Sequence, residues 1–374
     1  MKISILSVAP PYRGGIAEQT YHMSLHLKKT NDINVINFKR QYPGFLFPGK
    51  TQYDENSLKY ELENNYRLID SINPINWINT AKFIIKKSPD LIILRFWNPF
   101  FSISYASIIK RIKKALPSTK IIAVCDNIIP HEQNFFDQKL INLLFSKIDG
   151  FIVMSNQVKN ELLDINPNAK YKKLFHPIII KQKTYNKELA KNTLKINSHK
   201  VILFFGFIRA YKGLDILIRA NQELSSRLKD YKIIISGECY GDKKKYINMI
   251  AKFSKNNEIQ WIDEYVSEDL SSMYFAASDV VVLPYNSASQ SGVIPLAYSY
   301  ERPAIASDIP GIREMIADKK TGLLFEKGNH YDLSNKIIEF YDSEVNYKDN
   351  IIDFRNKFSW EYFNQGILDF YEEL

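Results

Sequence analysis

At 374 residues the chain is too long for one ordinary α/β domain and suits two of middling size, and its 45% apolar and 24% charged residues, with 23 Tyr and 23 Phe, argue against disorder. No window approaches the ~18 uncharged apolar residues of a spanning helix, the start MKISILSVAPPYRGG is broken too soon by proline and charge for a signal peptide, and Cys125 and Cys239 form no metal-ligand spacing; a reducing cytoplasm fits. The net charge of +9 is uneven, with 24 Lys and Arg against 14 Asp and Glu in residues 1–178 and 26 against 27 in residues 179–374, so an acidic surface or substrate is expected to meet the N-terminal part.

In chain order, short β-rich runs alternate with longer helical patterns, the mark of βαβ units and a parallel sheet. In the first half the expected strands are 2–8, 34–38, 91–96, 121–125 and 151–154. The first is followed by PPYRGGIA, where paired glycines Gly14 and Gly15 precede a helix over 18–27 and would let a phosphate approach the helix N-terminus. The spacing lacks the GxGxxG of dinucleotide sites.

Residues 44–51, GFLFPGKT, match the phosphate-binding P-loop pattern literally. Pro48 removes one N–H donor, three bulky apolar residues fill the loop, and QYDENS is a poor helix opening, so we read an apolar surface loop and not an NTPase. Over 102–120, Ile108, Ile109, Ile112, Ala115 and Leu116 recur at helical spacing, with Lys110, Arg111, Lys113 and Lys114 on the other side. This basic amphipathic helix either packs on a sheet with solvated lysines or rests on anionic lipid. Zinc-finger spacing, an RNP-like motif and a basic tail are all missing from the sequence, which makes nucleic acid a minor option.

His176-Pro177 and the lysine-rich, weakly patterned 178–197 place a boundary near residue 178. Beyond it the expected strands are 201–205, 231–236, 259–261, 280–283 and 304–306, with a helix over 214–228. Three glycine turns follow strands here, at the carboxyl ends where such sheets carry ligands. The turn 205–213, FGFIRAYKG, sets Arg209 and Lys212 three residues apart before a helix, a pair able to clamp a diphosphate. The others are SGE at 236–238 and PYNSASQSGV at 284–293. The stretch 360–374 is aromatic and amphipathic, with Trp360, Phe363, Ile367, Leu368 and Phe370 on its apolar side.

Together the words GGIAEQT, RFWNPFF, CDNIIPHE, FFGFIRAYKGLD, SGE, SDVVVLPY, SASQSGV, RPAIASDIPGIRE and KTGLLF resemble, across nearly the whole chain, the retaining GT-B glycosyltransferases of family 4, also called glycosyl transferases group 1. The resemblance implies an α/β GT-B fold of two Rossmann-like parallel-sheet domains facing an inter-domain cleft. They would be an acceptor domain over 1–178 and a nucleotide-sugar donor domain over 179–358, with a C-terminal helix at 359–374 packing back on the first. It implies donor contacts at Gly14, Gly15, Gly206, Arg209, Lys212, Glu238, Tyr285, Ser289, Ser291, Gly292, Val293 and Glu314. Acceptor contacts would come from Asp126, Asn127, His131 and Glu132, with Arg209, Lys212, His131 and Asp126 nearest the chemistry.

Two departures stand out. Most members carry two glutamates seven residues apart in the fourth turn; here they fall at Ser289 and Ala297 when aligned on Gly292, or the second at Leu296 when aligned on Pro303, so no carboxylate is restored. A subset of the family reads SQSGV at this point. Asp126 also stands where many relatives place histidine. The sequence has no Asp-x-Asp word, so catalysis without metal or other cofactor is expected, with Arg209 and Lys212 stabilising the departing diphosphate. A noncatalytic GT-B subunit is the alternative; a dinucleotide-dependent oxidoreductase fails on the missing fingerprint.

Overall fold

Among the described residues there are thirteen strands, most of them built from short runs of Ile, Val, Leu and Phe, a composition suited to parallel strands buried on both faces. In chain order they are β1 (Lys2–Leu6), β2 (Asp32–Arg40), β3 (Asn65–Asp70), β4 (Leu91–Phe96), β5 (Lys120–Cys125), β6 (Gly150–Val153), β7 (Tyr171–Lys173), β8 (Lys200–Phe205), β9 (Tyr231–Ser236), β10 (Ile259–Ile262), β11 (Val280–Leu283), β12 (Ala304–Ser307) and β13 (Gly322–Phe325). The computed structural model describes residues 1–12, 14–43, 52–53, 62–129, 136–177, 185–254, 256–264, 266, 268–288 and 290–374. The P-loop-like stretch 44–51 lies outside them.

The chain divides into two units, 1–175 with 360–374, and 176–359. The first holds a seven-stranded sheet in the order β3-β2-β1-β4-β5-β6-β7 and the second a six-stranded sheet in the order β10-β9-β8-β11-β12-β13. Every strand pairing within these sheets is parallel. In both, the order reverses beside the first strand of the unit, and such a switch point opens a crevice at the strand carboxyl ends. The expected pair of parallel-sheet α/β domains is borne out.

In the first unit the helices Pro74–Lys87, Ser102–Ala115 and Asp137–Phe145 bury Trp77, Ile84, Ile108, Ile112, Ile141 and Leu144 against one face of the sheet. The helices Gly15–Leu27 and Trp360–Glu372 bury Met23, Leu27, Trp360, Phe363, Ile367 and Phe370 on the other. Local chemistry sets the helix starts: the Asn73 side chain accepts from the Ile75 and Asn76 N–H groups ahead of Pro74, and Ser155 accepts from Val158 at the head of Asn156–Ile165.

Several sequence expectations need correction. Strands β3, β7 and β13 were not anticipated. The basic helix stops at Ala115, which is exposed rather than apolar-side, because Leu116 leaves the helix and Lys120 already belongs to β5. The charge asymmetry also shrinks. Helix Trp360–Glu372 and its tail bring Glu361, Asp369, Glu372 and Glu373 to the first unit, which then holds 24 cations against 18 carboxylates, while the second holds 26 against 23.

Candidate anion-binding site

The second unit gathers its glycine turns at the carboxyl ends of β8, β9 and β11. Gly206 turns the chain out of β8 with φ of +95°, and its N–H donates to the Ser236 carbonyl at 2.9 Å. The loops after β8 and β9 are then knitted together: Ile208 N–H donates to the Glu238 carbonyl and Tyr240 N–H to the Ile208 carbonyl, both at 2.9 Å. A 3-10 turn over Ala210–Lys212 ends at Gly213, whose φ is +65° and whose Cβ, if it had one, would lie 1.9 Å from the Pro284 carbonyl oxygen. Only glycine fits there. Asn286 N–H donates to the Tyr211 carbonyl at 2.7 Å, tying in the loop after β11.

This folding drives the Lys212 side chain inward. The residue is 8% exposed, and its Nζ lies 3.0 Å from the point a Cβ on Gly206 would occupy. Among the described residues no carboxylate pairs with Lys212 or with Arg209, which is exposed and sits over the Tyr240 ring at 5.8 Å. Burial first, and the neighbouring Arg209 charge second, pull the Lys212 pKa down to about 8. A buried ammonium beside a second cation and without a counter-ion is a costly arrangement that an anion would relieve. Tyr285 is buried with its ring 5.9 Å from the ammonium and its hydroxyl bonded to Ser291, which accepts from Val293 N–H at 3.2 Å at the start of the helix Val293–Ser299. Burial raises the Tyr285 phenol, so it stays a neutral donor. Val293 Cγ2 is 4.0 Å from the Gly206 Cβ position, so Lys212, Gly206 and this helix start converge.

Lys212 stands at the edge of a cavity of about 420 Å³ lined by Phe205, Gly206, Phe207, Ser236, Glu238, Glu264, Val266, Ser271, Leu296 and Tyr300. Its mix of apolar walls and a few polar groups suits a small ligand with an aromatic part. Leu296 lines this space while Ala297 is wholly buried in the core, so of the two positions weighed from the sequence Leu296 is the one that meets the cavity. Among the described residues the carboxylates lining the cavity are Glu238, which the sequence singled out, and Glu264, which it did not.

The other expected residues lie apart from this cavity or outside the described chain. Glu314 follows the short helix Pro310–Arg313 and does not line the cavity. Gly14, with φ of +115°, and Gly15 open the helix Gly15–Leu27 in the first unit, with open space where either Cβ would be. His131, Glu132 and Ser289 lie outside the described residues. Asn127 is exposed just after β5.

Asp126 is differently placed from a free sugar-binding carboxylate. Arg95, fully buried at the end of β4, donates through Nε to Asp126 Oδ2 at 3.1 Å and through Nη2 to Asp126 Oδ1, and reaches Gln19 Oε1 at 2.5 Å. The Asp126 side chain is 12% exposed, and Arg95 Nη1 is buried with no partner. Sequence reasoning missed Arg95, since one arginine inside LIILRF reads as a strand residue; the signal was its place at the carboxyl end of a central strand.

Comparison with known proteins matches residues 186–358 to the family described as Glycosyl transferases group 1. The chain is 26% identical to an uncharacterized glycosyltransferase, MJ1178, of Methanocaldococcus jannaschii, over 100% of this chain and 99% of that protein. It is 28% identical to the D-inositol 3-phosphate glycosyltransferase of Corynebacterium aurimucosum over 46% of this chain and 43% of that one. In structure it is similar to Anabaena Alr3699/HepE in complex with UDP, with a TM-score of 0.74, 16% identity and 100% of both chains covered. It is also similar to the lipopolysaccharide outer core galactosyltransferase WaaB, with a TM-score of 0.72, 18% identity and 99% of both chains covered.

Proposed function

We propose that this chain, a glycosyltransferase of the GT-B fold, moves a sugar from a nucleoside-diphosphate sugar to a saccharide or lipid-linked saccharide acceptor, with retention of anomeric configuration and without metal. The observation that carries this reading is the buried, unpaired Lys212 ammonium beside Arg209 at the edge of a cavity sized for a nucleoside. Phe205 and Tyr300 would flank the base, and Glu238 or Glu264 would meet ribose or base hydrogen-bond donors. The diphosphate would lie against Lys212, Arg209 and the start of helix Val293–Ser299, with Gly206 allowing close approach. Gly14, Gly15, Ser289 and Glu314 are proposed as further donor contacts.

Transfer breaks the bond between the anomeric carbon and the diphosphate oxygen, leaving positive character on the sugar and negative charge on the diphosphate. Two cations fixed in a partly dry site stabilise that charge without reorganising. In the retaining course the acceptor hydroxyl attacks from the face the diphosphate leaves, and its proton passes to the departing phosphate oxygen. Asp126, Asn127, His131 and Glu132 would position the acceptor in the first unit, Asp126 held by Arg95. Synthesis of a bacterial surface polysaccharide or lipopolysaccharide is the proposed setting, supported by the likeness to WaaB and by the basic helix bearing Lys110, Arg111, Lys113 and Lys114, through which the cytoplasmic protein would touch the membrane. We place the chain in the SQSGV subset.

The test is thermal unfolding against UDP, GDP, dTDP and CMP and their sugar conjugates, with nucleotide release assayed in the same wells. A stabilising nucleoside diphosphate whose sugar form is slowly hydrolysed supports the reading. Binding without release, even with acceptors added, would favour a noncatalytic nucleotide-sugar-binding subunit, which the apolar Leu296, one of the two positions weighed for the glutamate, makes the second reading. No shift from any nucleotide would sink both.

A further inference from the structure

The first unit is electrically two-faced. Its helices Pro74–Lys87, Ser102–Ala115 and Asp137–Phe145 carry eight Lys and Arg residues against a single carboxylate, Asp137. The two helices on the opposite face of the sheet, Gly15–Leu27 and Trp360–Glu372, carry no Lys or Arg and four carboxylates, Glu18, Glu361, Asp369 and Glu372. With Asn156–Ile165, which adds Lys159, Glu161 and Asp164 to the basic layer, the helices on that face carry nine cations against three carboxylates, so the two helical layers of this unit differ in sign.

Two helices of that layer repeat one outward stripe. Ile75, Asn79, Lys82 and Lys86 stand at i, i+4, i+7 and i+11 on the first, and Ile103, Ser107, Lys110 and Lys114 take the same four positions on the second. Ile75 is 72% and Ile103 46% exposed, and all four lysines are exposed with no ion-pair partner among the described residues. Lys113 and Arg111 differ: Lys113 Nζ is bound to Asp149 Oδ2 at 2.5 Å and Arg111 folds back onto the Ser107 carbonyl at 2.8 Å. The helices of this layer, including Asn156–Ile165, which buries Val158 and Leu162 in the same core, each cross between strands consecutive in the chain, and Ser102–Ala115 packs against both Pro74–Lys87 and Asp137–Phe145. They therefore point the same way, with Ile75 and Ile103 near the amino-terminal ends of the first two and the lysines behind them.

We propose that the face formed by these two helices is a docking surface for an anionic lipid bilayer, with Ile75 and Ile103 entering the acyl boundary and Lys82, Lys86, Lys110 and Lys114 meeting headgroup phosphates. A polynucleotide would satisfy the lysines but leave the isoleucines in water, whereas an anionic bilayer satisfies both. The inference deepens the peripheral contact proposed above. It moves the contact from one helix to two, takes Arg111 and Lys113 out of it, and holds whether or not the second unit turns over a nucleotide sugar.

The test is flotation of the full chain with vesicles of phosphatidylcholine alone and with about one-third phosphatidylglycerol, at low and high salt. We expect binding only to the anionic vesicles and its loss at high salt. Each lysine contributes about fivefold in affinity, so Lys82→Glu, Lys86→Glu, Lys110→Glu and Lys114→Glu combined should weaken binding by a hundredfold or more. The same change in net charge at exposed Lys229, Lys244, Lys245 and Lys327 of the second unit should leave it within a few fold. Ile75→Ser with Ile103→Ser should weaken vesicle binding by tenfold or more without altering retention on duplex DNA. The proposal is overturned by no binding to anionic vesicles at low salt, by equal loss in the two charge-reversed proteins, or by tighter retention on DNA than on vesicles. Lys212→Ala should float like wild type, so a failed donor site and a failed membrane face are told apart.

Discussion

Replacing Lys212 by methionine should stabilise the unliganded protein while destroying its hold on a diphosphate. The side chain is buried and its pKa falls from 10.5 to about 8, a penalty on the charged form of roughly 3 kcal/mol. Native Lys212 thus holds its proton less tightly than the unfolded chain does. Between about pH 8 and 10.5 the unfolded state binds more protons, so wild-type stability rises with pH in that window; below about pH 8 both states are protonated and the whole penalty is present. Methionine keeps the stem and removes the charge. Lys212→Met should therefore gain up to roughly 3 kcal/mol at about pH 7, and the gain should shrink to roughly 1 kcal/mol near pH 10. Urea unfolding of both proteins at the two pH values reads this directly. A saturating nucleoside diphosphate should reverse the order, raising wild type by about 2.7 kcal/mol at a hundred times its Kd and leaving the variant unmoved. A variant less stable than wild type at neutral pH, or one with the same excess stability at both pH values, would refute the claim that Lys212 is held unpaired for an anion.

Arg209→Ala should lower sugar transfer by about a hundredfold or more, 2–4 kcal/mol of transition-state stabilisation, with little change in the unfolding midpoint, since the side chain is exposed; near-normal turnover would remove it from the site. Gly213→Ala forces a Cβ onto the Pro284 carbonyl at a positive φ and should cost on the order of 2–4 kcal/mol of stability and the nucleotide-induced thermal shift together. Asp126→Asn or Arg95→Met should each destabilise by about 3–5 kcal/mol because a buried charge is left uncompensated, whereas Arg95→Met with Asp126→Leu should recover most of that; a fully additive double variant would show that the two are not coupled. Leu296→Glu should raise donor affinity, measured by titration with the nucleotide sugar that shifts the wild type, and an unchanged affinity would argue against Leu296 facing the donor.

The sequence by itself determined most of the fold. Runs such as LIILRF, KIIAVC, KVILFF and YKIIIS are mostly Ile, Val, Leu and Phe because a central parallel strand is buried on both faces, so composition alone marks them. The three strands it did not reveal, NYRLID, YKK and GLLF, all lie at sheet edges. An edge strand has one neighbour and partial exposure, and its pattern weakens accordingly. Arg209 and Lys212 were legible because turn glycines and closely spaced cations form a local word. Tertiary structure alone decided that Lys212 is the buried member and Arg209 the exposed one, since that depends on the loops after β8, β9 and β11 closing over one side chain. It alone paired Arg95 with Asp126, thirty-one residues on, and put Leu296 rather than Ala297 against the cavity. It also brought the acidic C-terminal helix onto the first unit, opposite the lysines. Charge and periodicity are written along the chain, but which charges meet depends on contacts between residues far apart in it.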